Sequence, residues 1–577
     1  MRNDNKYCYF MKETPNIAYF SMEIALASDI PTYSGGLGIL AGDILHKAVD
    51  LEIPMIGITL CYTAGYFYQI INSKGEQISK NIRWAFASNF EQLPTTIPIK
   101  IQDKEFEIGV WVYNIIGKRN GFIIPVFLLD SNVEGNEEWF KNITHTLYTS
   151  QPFLRIVQEA ILGIGGVKLI QKLCYNEIET YHLNEGHSSF VTLELLKNLH
   201  DINEVRKKVI FTTHTPVPAG HETFHYDLVN NVLGDLVPEN IKELAGKDKL
   251  NMSKLALNMS RYVNAVSKRH LEVSRKMFPN HKIDSITNGI NLFRWLSPYM
   301  KELFDNSLPE WRYDPQVLMN APVEIDSNDL WHAHKKAKSK MIDYQASHSF
   351  VLLNPRILTI GFGRRFTPYK RPTVIFKHLD RLGKICKGKA QFLFAGKAHP
   401  MDNDGKYLIK QIYEYSDYLW DNYKVSVAFL ENYDMDLAKS MLTGCDVWLN
   451  TPHVNMEACG TSGMKAALNG TLNCSILDGW WIEGYKMNKL AGWAICPNIK
   501  NGDCPDDDSN NITNTFDNVL ENEIIPTFYG ERNYWIKRMK NAILLASYFN
   551  CDRVVKEYAS RAWNLEMQPR WKREKII

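Results

Sequence analysis

Short, β-rich apolar runs alternate along this chain with longer segments of helical period. The first half contains IAYFSMEI (residues 17–24), FIIPVFLL (122–129), IETYHLN (178–184) and KVIFTTHT (208–215). The second half contains RILTIGFG (356–363), AQFLFAGK (390–397), KVSVAFLE (424–431) and DVWLNT (446–451). Between these runs lie segments with one apolar face, such as 37–51, with apolar residues at 37, 40, 44, 48 and 51, and 435–442. Strands separated by helices predict an α/β fold whose parallel sheets are covered on both faces. Polar and charged material near 300–330, expected as loop, separates two such series. The expectation is therefore two doubly wound domains of comparable size, divided near residue 295. Open parallel sheets bind ligands beyond the carboxyl ends of their strands, which puts the expected site in the cleft between the domains.

With 577 residues and 45% hydrophobic content, the chain has ample material for more than one core. Its 66 basic and 64 acidic residues leave a formal charge of +2, so no broad excess exists to attract nucleic acid or an anionic membrane. Charge effects must be local. Ten cysteines are scattered without a C-x-x-C pair, which suggests neither a zinc module nor a disulfide framework and fits a reducing, cytoplasmic setting. The N-terminal residues carry no continuous apolar stretch of the kind found in secretory signals. Residues 53–73 carry no charge, yet Pro54, Gly57 and Gly65 interrupt them, so they read as a buried strand and loop rather than a membrane span. Residues 498–517, with Asp506, Asp507 and Asp508 among Asn and Ser, read as a solvated loop.

Four motifs carry chemistry. Tyr33-Ser34-Gly35-Gly36-Leu37-Gly38 opens the helix at 37–51, where a glycine-rich turn allows close approach and free N–H groups favour an anion; alone, it is equally compatible with a structural turn. Residues 363–372, GRRFTPYKRP, follow the strand at 356–362, with Arg364 and Arg365 at the strand end. Pro372 suits the first position of a following helix, which would put Lys370 just before a helix N-terminus in an anion clamp. His182-Leu183-Asn184-Glu185-Gly186-His187 and Thr213-His214-Thr215-Pro216 each end a predicted strand, without the H-E-x-x-H spacing of a metal site, so no metal is expected. Residues 455–470, NMEACGTSGMKAALNG, predict a flexible turn at 460–463, a short helix over 464–468 and a stop at Gly470. Lys465 falls among small apolar neighbours, and a buried lysine has the lowered pKa that Schiff-base formation with an aldehyde needs.

Taken in order along the chain, these motifs resemble the α-glucan phosphorylases, the pyridoxal-phosphate enzymes of glycogen, starch and maltodextrin breakdown, from about residue 17 to about 490. YFSMEIAL and ILDGWWIEGY are wordings of the short bacterial and archaeal branch. The resemblance implies two Rossmann-like doubly wound domains facing across a cleft (the GT-B type of glycosyltransferase architecture), 1–295 binding glucan and 296–577 binding the cofactor. The helix near 551–563 would pack back on the first domain. It also implies a Schiff base between pyridoxal 5′-phosphate and Lys465, with Arg364, Tyr423, Lys424, Gly460, Thr461 and Gly36 around the cofactor. Tyr423 and Lys424 enter through the wording N-Y-basic-V-S at 422–426. Lys370, Arg365, His214, Asn288 (in ITNGI) and Glu457 are implied at the reacting sugar and phosphate, with Gly35, Gly38, Asn184, Glu185, His187 and Cys459 lining the substrate site. Cys459 stands where the long members have serine, a weaker donor, and Thr367-Pro368 replaces their His-Glu.

The implied reaction is retaining phosphorolysis of terminal α-1,4 bonds by inorganic phosphate, with the cofactor's 5′-phosphate as a proton partner. Two dianions about 5 Å apart at an effective dielectric near 20 repel by about 13 kcal/mol, so cations such as Arg364, Arg365, Lys370 and Lys424 are a physical requirement. The expected partners are α-1,4-glucan and inorganic phosphate, with homo-oligomerisation left open. Two alternatives remain at this point: a nucleotide-sugar-dependent α-glucan synthase, which needs no Schiff-base lysine, and a catalytically silent glucan binder.

Overall fold

The computed structural model describes residues 14–82, 84–118, 120–496, 504 and 507–566. Two sheets organise them. The first has nine strands in the spatial order Asp284–Ser285, Tyr262–Ala265, Val209–Thr212, Thr180–Asn184, Ile17–Ser21, Met55–Leu60, Ile123–Asp130, Lys104–Ile116 and Glu91–Ile101. All pair in parallel except the last two, which join antiparallel. The second has six parallel strands in the order Val427–Leu430, Ala390–Ala395, Leu358–Gly363, Val447–Asn450, Leu472–Ser475 and Gly492–Ala494.

Period-two side-chain alternation divides the first sheet's core. Ala18, Phe20, Ile56 and Ile58 pack into one apolar cluster, whereas Ile17, Tyr19 and Met55 pack into another on the opposite face. Both faces are thus covered, which is why IAYFS and MIGITL read as unbroken apolar runs and are buried along their whole length. A third cluster surrounds the second sheet and extends to Ala25, Ile39 and Trp295 of the first half.

Contacts between the two sheets are specific. The hairpin of Tyr68–Ile71 and Gln77–Lys80 reaches the second sheet, where the Gln69 and Gln77 amides each donate at 2.8 Å, to the carbonyls of Gly396 and Ala398. From the second sheet's side, Asn469 donates to the Trp295 carbonyl at 3.0 Å and accepts from Ser297 N–H at 2.9 Å. Helix Cys551–Arg561 lies against the first sheet: Val554, Val555 and Tyr558 join the cluster of Ile17 and Tyr19, and Asp552 pairs with Lys47 at 3.0 Å.

Several expectations are corrected. Residues near 300–330 are largely helical, including Pro298–Ser307 and the start of Ser327–His348; Ser297 and Asp326 cap these helices, so the polar residues serve helix ends and solvent faces. The cysteines are not all unpaired: Cys496 and Cys504 form a disulfide, and seven others among the described residues are free. The segment expected as a solvated loop contains helix Ser509–Val519, capped by Asp508, and Asp517 is buried; residues 498–503, 505 and 506 lie outside the described residues. No described helix is long and apolar enough to cross a membrane, and residues 53–73 form two strands with intervening loop.

Candidate active site

The chemistry-bearing loops all leave the carboxyl ends of parallel strands. Arg364 follows Leu358–Gly363, and Asn450 ends Val447–Asn450. The Arg364 guanidinium donates to Asn450 Oδ1 and Glu457 Oε2, while Lys370 Nζ donates to Glu457 Oε1 at 2.8 Å. Burial alone would push the Glu457 carboxyl up; Arg364 and Lys370 outweigh it and bring it down to about 2. Glu457 therefore bridges two cations. Lys370 does not precede an α-helix as expected. It closes the 3₁₀ turn Pro368–Lys370, after which Arg371 adopts a left-handed conformation (φ 44°). Arg365 is exposed, within electrostatic reach of Tyr369 and, from the first half, Tyr66, Glu23 and Tyr148.

Lys465 occupies helix Thr461–Leu468, which starts three residues earlier than expected. Gly460 caps it in the left-handed region (φ 83°), where a Cβ would press within 3.3 Å of Glu457 Cγ. The Lys465 ammonium sits 3.8 Å from the Trp295 ring centroid, and burial lowers its pKa to about 8. Asp43 is the main opposing charge, but its carboxylate already accepts from Arg294 Nη1 at 2.9 Å, Trp295 Nε1 at 2.8 Å and Asn291 N–H at 3.1 Å. Lys465 is thus a buried amine held by an aromatic face instead of an ion pair, the condition a carbonyl-bearing cofactor requires.

Strand ends of the first sheet and the loops that follow them contribute Asn184, Glu185, His187, His214 and Asn288. His214 Nε2 lies 2.7 Å from Asn184 Oδ1, and Glu185 Oε2 accepts from His214 N–H at 2.7 Å and Thr215 Oγ1 at 2.9 Å. Burial depresses the His214 imidazole to about 4, so it is neutral at physiological pH. The Cys459 thiol lies by the Asn288 backbone, and burial raises its pKa well above the usual thiol value. At the glycine-rich turn, the Glu23 carboxylate accepts from Ser34 N–H at 2.5 Å and Gly35 N–H at 3.1 Å, so part of the anion position is already filled. Above Gly35 and Gly36 a Cβ would meet nothing within 4 Å, whereas at Gly38 it would strike Glu23 at 2.8 Å. The first two glycines border open space; the third permits packing.

Tyr423 and Lys424 do not join this group. They precede strand Val427–Leu430, at the amino edge of the sheet, whereas Arg364 leaves the carboxyl edge of a parallel neighbour. Tyr423 Oη donates instead to Asp380 at 2.8 Å. A second Asn-Tyr pair, Asn432-Tyr433, follows the same strand at its carboxyl end. Tyr433 Oη donates to the Gly363 carbonyl at 3.0 Å, and its ring stands 2.9 Å from where a Gly363 Cβ would lie. The strand-end position of ENY after VAFL was the sequence signal for it. Glu23 and Tyr148, joined at 2.8 Å, were also missed: Glu23 stands in YFSMEIAL but was given no role there, and Tyr148 lies in no motif.

Several buried polar atoms at these loops lack a protein partner: Asn288 Oδ1, Arg364 Nε, Thr367 Oγ1, Thr213 Oγ1 and His187 Nδ1. Buried polar atoms are ordinarily satisfied, and these five are positions at which a bound ligand would supply the partner. Glu159, His187 and Glu222 have ligand atoms within 4.8 Å of one another, but Arg155 Nε lies 2.7 Å from Glu222 Oε1 and 3.2 Å from Glu159 Oε1 and already supplies the cation.

Fold and site together define an α/β protein in which histidine and amide side chains at one sheet's strand ends accompany a cluster of cations around Glu457 and a buried lysine at the other's. The profile of the carbohydrate phosphorylase family matches residues 236–488. The chain is 37% identical to a maltodextrin phosphorylase of Thermococcus litoralis, covering 95% of this chain and 70% of that protein. It is 35% identical to a glycogen phosphorylase of Aquifex aeolicus, covering 95% and 86%. The chain belongs to the carbohydrate phosphorylase family.

Proposed function

We propose that this protein is an α-glucan phosphorylase, releasing α-glucose 1-phosphate from the non-reducing end of an α-1,4-glucan with inorganic phosphate. The observation that carries the reading is the pairing of the Arg364, Lys370 and Glu457 clamp with Lys465, the buried amine on Trp295. The relatives named as maltodextrin and glycogen phosphorylases support the substrate class. A GT-B division into 1–295 and 296–577 is in keeping with the two sheets, and helix Cys551–Arg561 would tie the second unit to the first. Seven free cysteines remain compatible with a cytoplasmic setting.

The residues fit pyridoxal phosphate: Lys465 would hold its aldehyde carbon, and Gly460, Thr461, Gly36 and Arg364 would surround it. When bound, the cofactor supplies a phosphate that exchanges a proton with the substrate phosphate. Arg365 and Lys370 would hold inorganic phosphate as one of its oxygens forms the new bond to the anomeric carbon. The bond from that carbon to the departing 4-oxygen breaks, and the departing oxygen takes the phosphate proton. Neutral His214, held by Asn184, and Asn288 would bind the sugar hydroxyls, and positive charge developing on the sugar would be stabilised by the adjacent phosphate oxygens. Asn184, Glu185 and His187 would line the glucan side.

Cofactor-loaded protein given maltodextrin and phosphate should release glucose 1-phosphate, and Lys370→Ala should abolish release. Activity of cofactor-free protein with ADP-glucose or UDP-glucose would overturn the reading in favour of a synthase. Silence of the loaded protein would favour a glucan binder.

A further inference from the structure

Asp507 touches both loops that carry the clamp. Its Oδ1 accepts from Arg371 Nη2 at 2.9 Å and from Val454 N–H at 3.2 Å, and its Oδ2 lies 2.7 Å from His453 Nδ1. Its carbonyl accepts from Arg371 Nη1 at 3.1 Å. Arg371 directly follows Lys370, and His453 and Val454 lead into Glu457. The two loops meet otherwise through His453 N–H donating to the Tyr369 carbonyl at 2.8 Å and Arg371 donating to the Thr451 and Pro452 carbonyls at 3.1 and 2.6 Å. One carboxylate outside the strand-end motifs therefore closes a triangle among the 369–371 turn, the 453–454 segment and the start of helix Ser509–Val519.

We propose that Asp507 is a positioning residue for the phosphate clamp, setting the separation of Lys370 from Glu457; this rests on the reading of Lys370 as a phosphate ligand. Arg371 holds a left-handed conformation without being glycine, so the turn depends on the bonds that restrain its side chain. Releasing Asp507 leaves Arg371 its carbonyl acceptors and leaves the 453–454 segment held to the turn by the single bond from His453 N–H to the Tyr369 carbonyl, a looser tie that lets the two loops shift relative to each other. Phosphate, which the clamp must grip from several directions, then loses more than glucan, which binds on the opposite wall. The Asp507 side chain is 36% exposed, and an ion pair that open adds little to stability.

The test is steady-state phosphorolysis by cofactor-loaded Asp507→Asn, which keeps the side-chain shape and removes the charge. The expected result is a KM for phosphate raised about tenfold, a KM for maltoheptaose within about twofold of the parent and an unfolding midpoint within a few degrees, since small displacements of positioned groups produce effects of this order. Asp507→Glu, which retains the charge, should recover part of the phosphate affinity. An unchanged phosphate KM in folded Asp507→Asn, or equal rises for phosphate and glucan, overturns the proposal. If Asp507→Asn does not fold, His453→Gln removes the Oδ2 contact alone, and the same phosphate-selective rise supports or its absence overturns. Lys370→Ala is run alongside: its full activity would show the clamp reading itself to be wrong, whereas its inactivity with a normal Asp507→Asn would sink only the Asp507 role.

Discussion

The ammonium of Lys465 lies 3.8 Å from the centroid of the Trp295 ring, linking the helix after Gly460 to the last residue of helix Leu292–Trp295. An aromatic face attracts a cation but desolvates it, and Lys465 is brought to about 8. At pH 7 about one molecule in ten then carries the neutral amine, against under one in a thousand for an exposed lysine. Cofactor uptake by the apoprotein should therefore accelerate between pH 7 and 9, reach half its limit near pH 8 and level off above about pH 9. Lys465→Ala should show no pyridoxal absorption at any pH; a spectrum identical to the parent's would contradict the assignment.

Acid should weaken the fold in two stages. His214, His270 and His46 are each depressed to about 4 by burial, so their contribution is intact above their unfolded value near 6.5 and is lost as pH falls toward 4. Glu457, held at about 2, contributes fully above the unfolded value of 4.5 and loses that contribution as pH falls toward 2. Its share is about 3 kcal/mol from the size of the shift. Urea midpoints measured at pH 7, 5 and 3 should fall at each step, and Glu457→Gln should flatten the lower step. A parent curve that is level from pH 7 to 3 would exclude this account.

Tyr433 and Tyr423 should separate by activity. Tyr433→Phe removes the hydrogen bond to the Gly363 carbonyl beside Arg364 and should lower kcat/KM about tenfold, a loss equal to one buried hydrogen bond. Tyr423→Phe loses only its bond to Asp380 and should stay within about twofold of the parent. The reverse ranking would restore the first Asn-Tyr pair to the site.

Gly289 meets the C-terminal helix without a side chain between them. A Cβ there would lie 2.3 Å from the Asn550 carbonyl oxygen and 2.4 Å from its carbon, both backbone atoms with little room to yield. Gly289→Ala should destabilise the protein by about 2 to 3 kcal/mol and expose helix Cys551–Arg561 to proteolysis. An unchanged unfolding midpoint would mean that this junction is looser than its contacts indicate.

The buried parallel strands at the centre of each sheet and the residues at their ends were legible in the chain alone, whereas edge strands such as Glu91–Ile101 and Gly492–Ala494 were not. Strands buried on both faces must be continuous apolar runs, so IAYFS, MIGITL and LTIGFG announced themselves, and Arg364, Arg365 and His214 could be placed at strand ends because position along a strand is a local property. What those residues touch depended on the packing of distant segments. Two Asn-Tyr pairs ten residues apart look equivalent in a chain, yet strand direction sends one to the amino edge and the other to the clamp. Likewise Glu23 reached the glycine-rich turn, Trp295 reached Lys465 and Asp507 reached Arg371 across long sequence separations. Periodicity encodes burial along one element; the pairing of charges between elements depends on how separate sheets and loops pack, and that is written only in three dimensions.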